Sequence, residues 1–106
     1  VVPGAVEIPF AVKAIDNSWA KADAYIALAC VIRGDTPHFD YVCQSITQGI
    51  TMLNNQLDSP VIYGVLTVNT EQQAIERIGG IHGHKGEEAA LTALQMLTLK
   101  HELKPA

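Results

Sequence analysis

The residues of this chain best suited to chemistry sit just after its apolar runs. The first run ends in Arg33-Gly34-Asp35-Thr36-Pro37-His38, the second in Thr67-Val68-Asn69-Thr70, and a segment Gly4-Ala5-Val6-Glu7 follows the apolar opening. In an open parallel sheet, ligands bind beyond the carboxyl ends of the strands, so three such segments would converge on one rim. His38 is the only histidine expected at that rim, and an imidazole titrates near neutral pH, which suits proton transfer. The alternative for His38 is an exposed or capping residue at a helix start. Backbone N–H groups at Gly34, Asp35 and Thr36, just before a helix, could cradle a phosphate. The plain alternative is a strand-to-helix turn capped by Asp35 or Thr36.

Three more charged positions stand out. Arg77 closes a short helical stretch, where a cation complements the helix dipole, but its planar fork also suits bidentate grip of a phosphate. Lys85 and Glu88 are three apart at the start of a long helix, so an ordinary surface ion pair competes with a ligand role. His82 and His84 are two apart in a Gly-rich stretch, and two ligands without a third read as a surface loop rather than a metal site. Cys30 and Cys43 show no metal or redox spacing; both are expected to be reduced, buried small hydrophobes, as suits a cytoplasmic protein.

The elements that must position these residues are legible from periodicity. Apolar residues at 42, 46, 49 to 50, 53 and 57 predict an amphipathic helix over about 38 to 57, and a second covers about 85 to 103. In the latter, Ala89, Ala93, Met96 and Lys100 share a face beside Ala90, Leu94 and Leu97. PFAVKAIDNS, with Pro at a first-turn position, predicts a shorter helix over about 9 to 18. The near-continuous apolar runs at 24 to 32 and 61 to 68 predict parallel strands covered by helices on both faces. Thr70 and Gln73 have capping-box spacing for a helix through about Arg77, stopped by Gly79 and Gly80. The alternation predicts one α/β three-layer domain over residues 1–106. Two strands make too small a sheet, so VVPG is read as the tail of a third, with upstream sequence absent, processed or supplied separately.

Composition narrows the function classes. With 106 residues, 48% of them hydrophobic, and a net charge of −4 spread along the chain, no basic footprint points to nucleic acid or to an anionic membrane. No apolar run approaches the roughly 18 residues of a membrane-spanning helix, and no signal peptide is evident.

VPGAVEIPF, VIRGDTPHFDYV, PVIYGVLT and QAIERIGG followed by HKGEEAALTAL occur in the order and spacing found in lumazine synthases. The chain resembles that family from Val2 to about Leu103, which implies a flavodoxin-like parallel sheet flanked by helices, with the N-terminal strands missing here. It also implies condensation of 5-amino-6-(D-ribitylamino)uracil with 3,4-dihydroxy-2-butanone 4-phosphate to 6,7-dimethyl-8-ribityllumazine, phosphate and water, without metal or organic cofactor. By the same resemblance Ala5, Val6 and Glu7 hold the pyrimidine and ribityl chain, helped by Cys30, Val31 and Ile32, while Tyr63 comes from a neighbouring subunit. Asp35, Thr36 and Arg77 bind the phosphate, Lys85 and Glu88 lie near the ribityl and phosphate groups, and His38 carries protons. The implied assembly is a homopentamer, or twelve of these in a sixty-subunit icosahedral shell.

This chain departs from the family pattern at Val6, where an aromatic residue commonly stacks on the pyrimidine, at GGIHGHKG in place of GTKAGNKG, and at Tyr63 in place of Phe. Two other readings follow from those departures: a non-catalytic, flavin-binding shell or scaffold, and a condensing enzyme for a different phosphosugar-like substrate.

Overall fold

The computed structural model describes residues 1–103; residues 104–106, the end of the expected domain, lie outside them. Its framework is a pair of eight-residue strands, Tyr25–Ile32 (β1) and Val61–Val68 (β2). They run parallel, with Tyr25 opposite Val61 and Ile32 opposite Val68. Parallel neighbours need a long crossover, supplied by helix α2, His38–Gln56. Ahead of β1, a 3-10 turn at Ala5–Glu7 leads into helix α1, Ile8–Asp16, with Pro9 in its first turn. Helix α3, Glu71–Ile75, and helix α4, Lys85–Glu102, follow β2. Each helix expected from the sequence is present.

Side-chain alternation along the strands divides the core in two. On one face, Ile8 and Val12 of α1 and Ile46, Ile50 and Leu53 of α2 pack on Tyr25, Ala27, Val61 and Val65. On the other, Ala89 and Ala93 of α4 pack on Ile62. The expected helix–sheet–helix layering is therefore present. The approach of α4 depends on Gly64: a Cβ there would lie 2.8 Å from the Ala27 carbonyl oxygen, 2.7 Å from Leu28 Cδ2 and 3.4 Å from the Ala89 Cβ. At the start of β2, Asn54 of α2 acts as a surrogate strand. Its Oδ1 accepts the Val61 N–H at 2.8 Å and its Nδ2 donates to the Val61 carbonyl at 2.9 Å.

The structure departs from the sequence reading in four places. Helix α4 lies over β2 and leaves the matching face of β1 open, so Ile26, Ile32 and, at 62% exposure, Leu28 are not covered as expected. Cys30 shares that face and is exposed rather than buried, while Cys43 is half-buried; both thiols are free. The alternation that buries Ala27 and Ala29 turns Cys30 outward. Val1–Gly4 forms no strand: Pro3 has no N–H to give a ladder, and the Gly4 carbonyl is taken by Glu7 N–H at 3.2 Å. Val2 instead packs against the core.

The fourth departure follows α3. Thr70 caps it as expected, its hydroxyl accepting Gln73 N–H at 3.2 Å, while Gln73 Oε1 accepts Asn69 N–H at 2.7 Å. The helix stops at Ile75, short of Arg77, and the chain forms a two-stranded antiparallel hairpin of Ile78–Gly80 (β3) and Gly83–His84 (β4). Gly79, at φ +104°, makes a backbone turn there that side chains resist. His84, expected in a surface loop, is the N-cap of α4, its Nδ1 accepting Glu87 N–H at 3.0 Å.

Candidate functional site

The carboxyl end of β1 and the first turn of α2 enclose a cavity of about 290 Å³ lined by Ala5, Cys30, Val31, Ile32, Gly34, Thr36, His38, Phe39 and Val42. Six of the residues singled out in the sequence thus come together around His38. The N-cap of α2 is Pro37, which offers no side-chain acceptor, and the nearest substitute is a long contact of 3.4 Å from His38 N–H to Thr36 Oγ1. The cap expected from Asp35 or Thr36 is therefore nearly absent; Asp40 N–H turns back to the Pro37 carbonyl at 3.0 Å, which leaves Phe39 N–H as the first-turn donor without a partner among the described residues. His38 is exposed and so can reach a ligand. Val6, at 45% exposure, Glu7 and Asp35 are close in sequence but do not line the cavity.

Tyr63, Arg77, Lys85 and Glu88 form a second cluster. Lys85 Nζ lies 5.9 Å from the centroid of the Tyr63 ring, and Arg77 Nη2 pairs with Glu88 Oε1 at 3.6 Å. Lys85 N–H donates to the Arg77 carbonyl at 2.6 Å, tying the start of α4 to the hairpin. Sequence spacing suggested that Glu88 would pair with Lys85; the hairpin brings Arg77 to it instead. Tyr63, Lys85 and Glu88 line a groove of about 760 Å³ that continues between α4 and the β2 entry. Arg77 lines a smaller hollow of about 470 Å³ with Val68, Gln73, Glu76 and His82. Arg77 Nε is buried and has no hydrogen-bond partner among the described residues, an unspent donor. Neither lining shares a residue with the His38 cavity. Among the described residues no group of three or more His, Cys, Asp or Glu is arranged to hold a metal ion, and no helix is long and apolar enough to cross a membrane.

Arg33 emerges as a structural hub that the sequence showed only as the first residue of a loop. Its Nε donates to Asn69 Oδ1 at 2.9 Å, its Nη2 reaches Asp40 Oδ1 at 3.3 Å, and its guanidinium carbon stands 4.5 Å over the Phe39 ring. Phe39 in turn forms a wall of the His38 cavity. Farther along α2, burial first and the Asp40 carboxylate second push the Cys43 thiol up, with Arg33 opposing, so Cys43 is a poor nucleophile.

Comparison with known proteins agrees with these motifs. The family model for 6,7-dimethyl-8-ribityllumazine synthase matches residues 1–101. A 6,7-dimethyl-8-ribityllumazine synthase of Phocaeicola vulgatus is 54% identical over 103 residues, 97% of this chain and 61% of that protein. The one of Porphyromonas gingivalis is 57% identical over 99 residues, 93% of this chain and 61% of its own length. That of Bdellovibrio bacteriovorus is 50% identical over all 106 residues and 58% of its own length. The chain thus spans about three-fifths of the curated relatives it matches.

Proposed function

Because the chain belongs to the 6,7-dimethyl-8-ribityllumazine synthase family, we propose that its protein is a transferase of riboflavin biosynthesis, condensing 5-amino-6-(D-ribitylamino)uracil with 3,4-dihydroxy-2-butanone 4-phosphate. The observation that carries this reading is His38 at the rim of a cavity that the family's own motifs build at the start of α2. The uracil's amine attacks the ketone and loses water to give an imine, phosphate leaves, and ring closure expels a second water. His38 moves the protons in these steps, each of which needs one taken up or released. Ala5, Val6 and Glu7, with Cys30, Val31 and Ile32, hold the pyrimidine and its ribityl chain. Asp35, Thr36 and Arg77 bind the phosphate, with Lys85 and Glu88 beside it. Holding two substrates in register supplies much of the rate, and cationic and N–H donors at the departing phosphate supply more.

The separation of the two clusters bears on assembly. Tyr63 is taken to serve a neighbouring subunit, and Arg77, Lys85 and Glu88 are tied to it by the contacts above, so all four act together on that neighbour's His38 cavity. A homopentamer, alone or within a sixty-subunit shell, provides the repeated boundary this needs. The free cysteines fit a cytoplasmic setting.

The test is complementation in the full-length protein, read by absorbance of the lumazine product. His38→Ala should chiefly lower turnover, and Arg77→Ala should chiefly weaken binding of the butanone phosphate. Co-assembled, the two variants should regain turnover that neither shows alone, because some boundaries pair an intact His38 with an intact Arg77. A wild-type protein that assembles yet yields no product would overturn the enzymatic reading in favour of a scaffold. Two variants that never complement would overturn the shared site.

A further inference from the structure

We propose that Arg33 is a positioning residue, a planar clamp that fixes the first turn of α2, and with it His38, against the end of β2; this rests on the activity proposed above. Its backbone and guanidinium together tie the end of β1 to the end of β2 and to α2. Arg33 N–H donates to the carbonyl of Val68, the last residue of β2, at 2.8 Å, extending the β1–β2 ladder one residue beyond β1. Its Nε then reaches sideways to Asn69 Oδ1 at 2.9 Å, and Asn69 is itself fixed by the bond from its N–H to Gln73 Oε1 at 2.7 Å. On its other side the guanidinium holds Asp40 at 3.3 Å and stacks on Phe39 at 4.5 Å. The chain of contacts therefore runs from α3 through the ends of both strands to the two residues that follow His38.

The geometry assigns the work to shape rather than to charge. Arg33 and Asp40 have side chains 46% and 52% exposed, so their ion pair is screened and contributes little by itself. The directed Nε bond and the stacked ring instead demand a planar fork, which lysine lacks. The segment being held needs such a clamp: Pro37 gives α2 no side-chain cap, and Gly34 has open space around it, with nothing within 4 Å of an added Cβ. Between Ile32 and Phe39 the loop carrying Asp35, Thr36 and His38 has little else to fix it. Arg33 does not itself line the His38 cavity, and its Nε and Nη2 are already engaged, so it acts through Phe39 and Asp40 rather than on the substrate.

The test uses full-length protein with Arg33→Ala, Arg33→Lys, His38→Ala and the Arg33→Ala/His38→Ala double variant. Amide hydrogen exchange is measured first, because it does not depend on turnover. Arg33→Ala should speed exchange about tenfold or more over 34–42 while β1 and α4 stay protected. Uniform acceleration, or none, overturns the clamp. In turnover, Arg33→Ala should lose about 10- to 100-fold, the scale of a misplaced catalytic group, and Arg33→Lys should recover little of it. The double variant should be no slower than His38→Ala alone. Losses that multiply, or full rescue by lysine, overturn the positioning role. If wild type makes no product, the proposed activity fails, and local exchange still decides whether Arg33 clamps the loop.

Discussion

Replacing Asn54 by Ala is expected to destabilise the protein by about 2–3 kcal/mol, because one carboxamide closes the entry of β2. Its Nδ2 donates to Val61 O at 2.9 Å and Ile50 O at 3.2 Å, and its Oδ1 accepts Val61 N–H at 2.8 Å. Each neutral bond is worth about 1 kcal/mol net, and a buried group left unpaired costs about 1–3 kcal/mol. Val61 is only 3% exposed, so water replaces the lost partners poorly. Against this, Ala favours a helix interior over Asn by about 0.5 kcal/mol. For a domain of this size the loss corresponds to about 8–24 °C in melting temperature. Asn54→Asp separates hydrogen bonding from packing: the carboxylate keeps the shape and the acceptor for Val61 N–H, but faces two carbonyls without a donor. It should lose at least as much as Ala. Urea unfolding followed by far-ultraviolet circular dichroism gives both values. An aspartate variant as stable as wild type, or an alanine variant within about 0.5 kcal/mol of it, would refute the reasoning.

Gly64→Ala pits two effects against each other. In an unobstructed strand the change gains about 0.5–1 kcal/mol, but here the new Cβ would sit 2.8 Å from a backbone oxygen of the paired strand, and overpacking costs about 1–3 kcal/mol. A lower urea midpoint is expected, and a higher one contradicts the crowding. Tyr25 gives a pH signature: burial first, then its bond to Asp16 at 2.9 Å and the Asp16 charge, raise its pKa above 10.0, outweighing the Ala22 N–H at 3.1 Å, which lowers it. The folded state favours the neutral phenol, so this stabilisation is complete below pH 10 and is lost as the pH rises through the higher folded value. Tyr25→Phe should be less stable at pH 7, with the gap to wild type narrowing above pH 10; a gap that stays constant contradicts the assignment.

Long elements were legible because each announces itself locally. The stripe at 42, 46, 50 and 53 and the branched runs of the strands need no knowledge of neighbours, and their bounds came within two or three residues. What eluded the sequence depended on partners far along the chain. Nothing local in YIALACVI tells that α4 settles mainly over β2, so Leu28 and Cys30 look like core residues until the layers are assembled. The hairpin after α3 is five residues of strand held by Gly79 and Gly83, too short for any period to register. Because it folds back, Arg77 meets Glu88 and His84 becomes a cap. For the site, motif resemblance marked His38, Arg77 and Lys85, but not Arg33, whose meaning lies in Asn69, thirty-six positions away.

The division of charge between the clusters is what gives the proposed chemistry its form. Near His38, Arg33 commits its Nε to Asn69, its Nη2 to Asp40 and its face to Phe39, so the phosphate donors proposed there are backbone N–H groups of the Gly34–Thr36 loop. In the other cluster the balance is reversed. Among the described residues Arg77 keeps a buried Nε without a partner and Lys85 lies against an aromatic ring, while the imidazole there, His82, is turned to the Glu76 carboxylate at 3.8 Å. A dianionic leaving group asks for fixed cations, and a condensation that moves a proton at each step asks for an exposed imidazole; within one chain each cluster meets one demand. Their joining across a boundary between copies would let an anion draw Arg77 from Glu88, a half-exposed pair at 3.6 Å weak enough to yield. Assembly and phosphate binding would then be coupled through the same guanidinium.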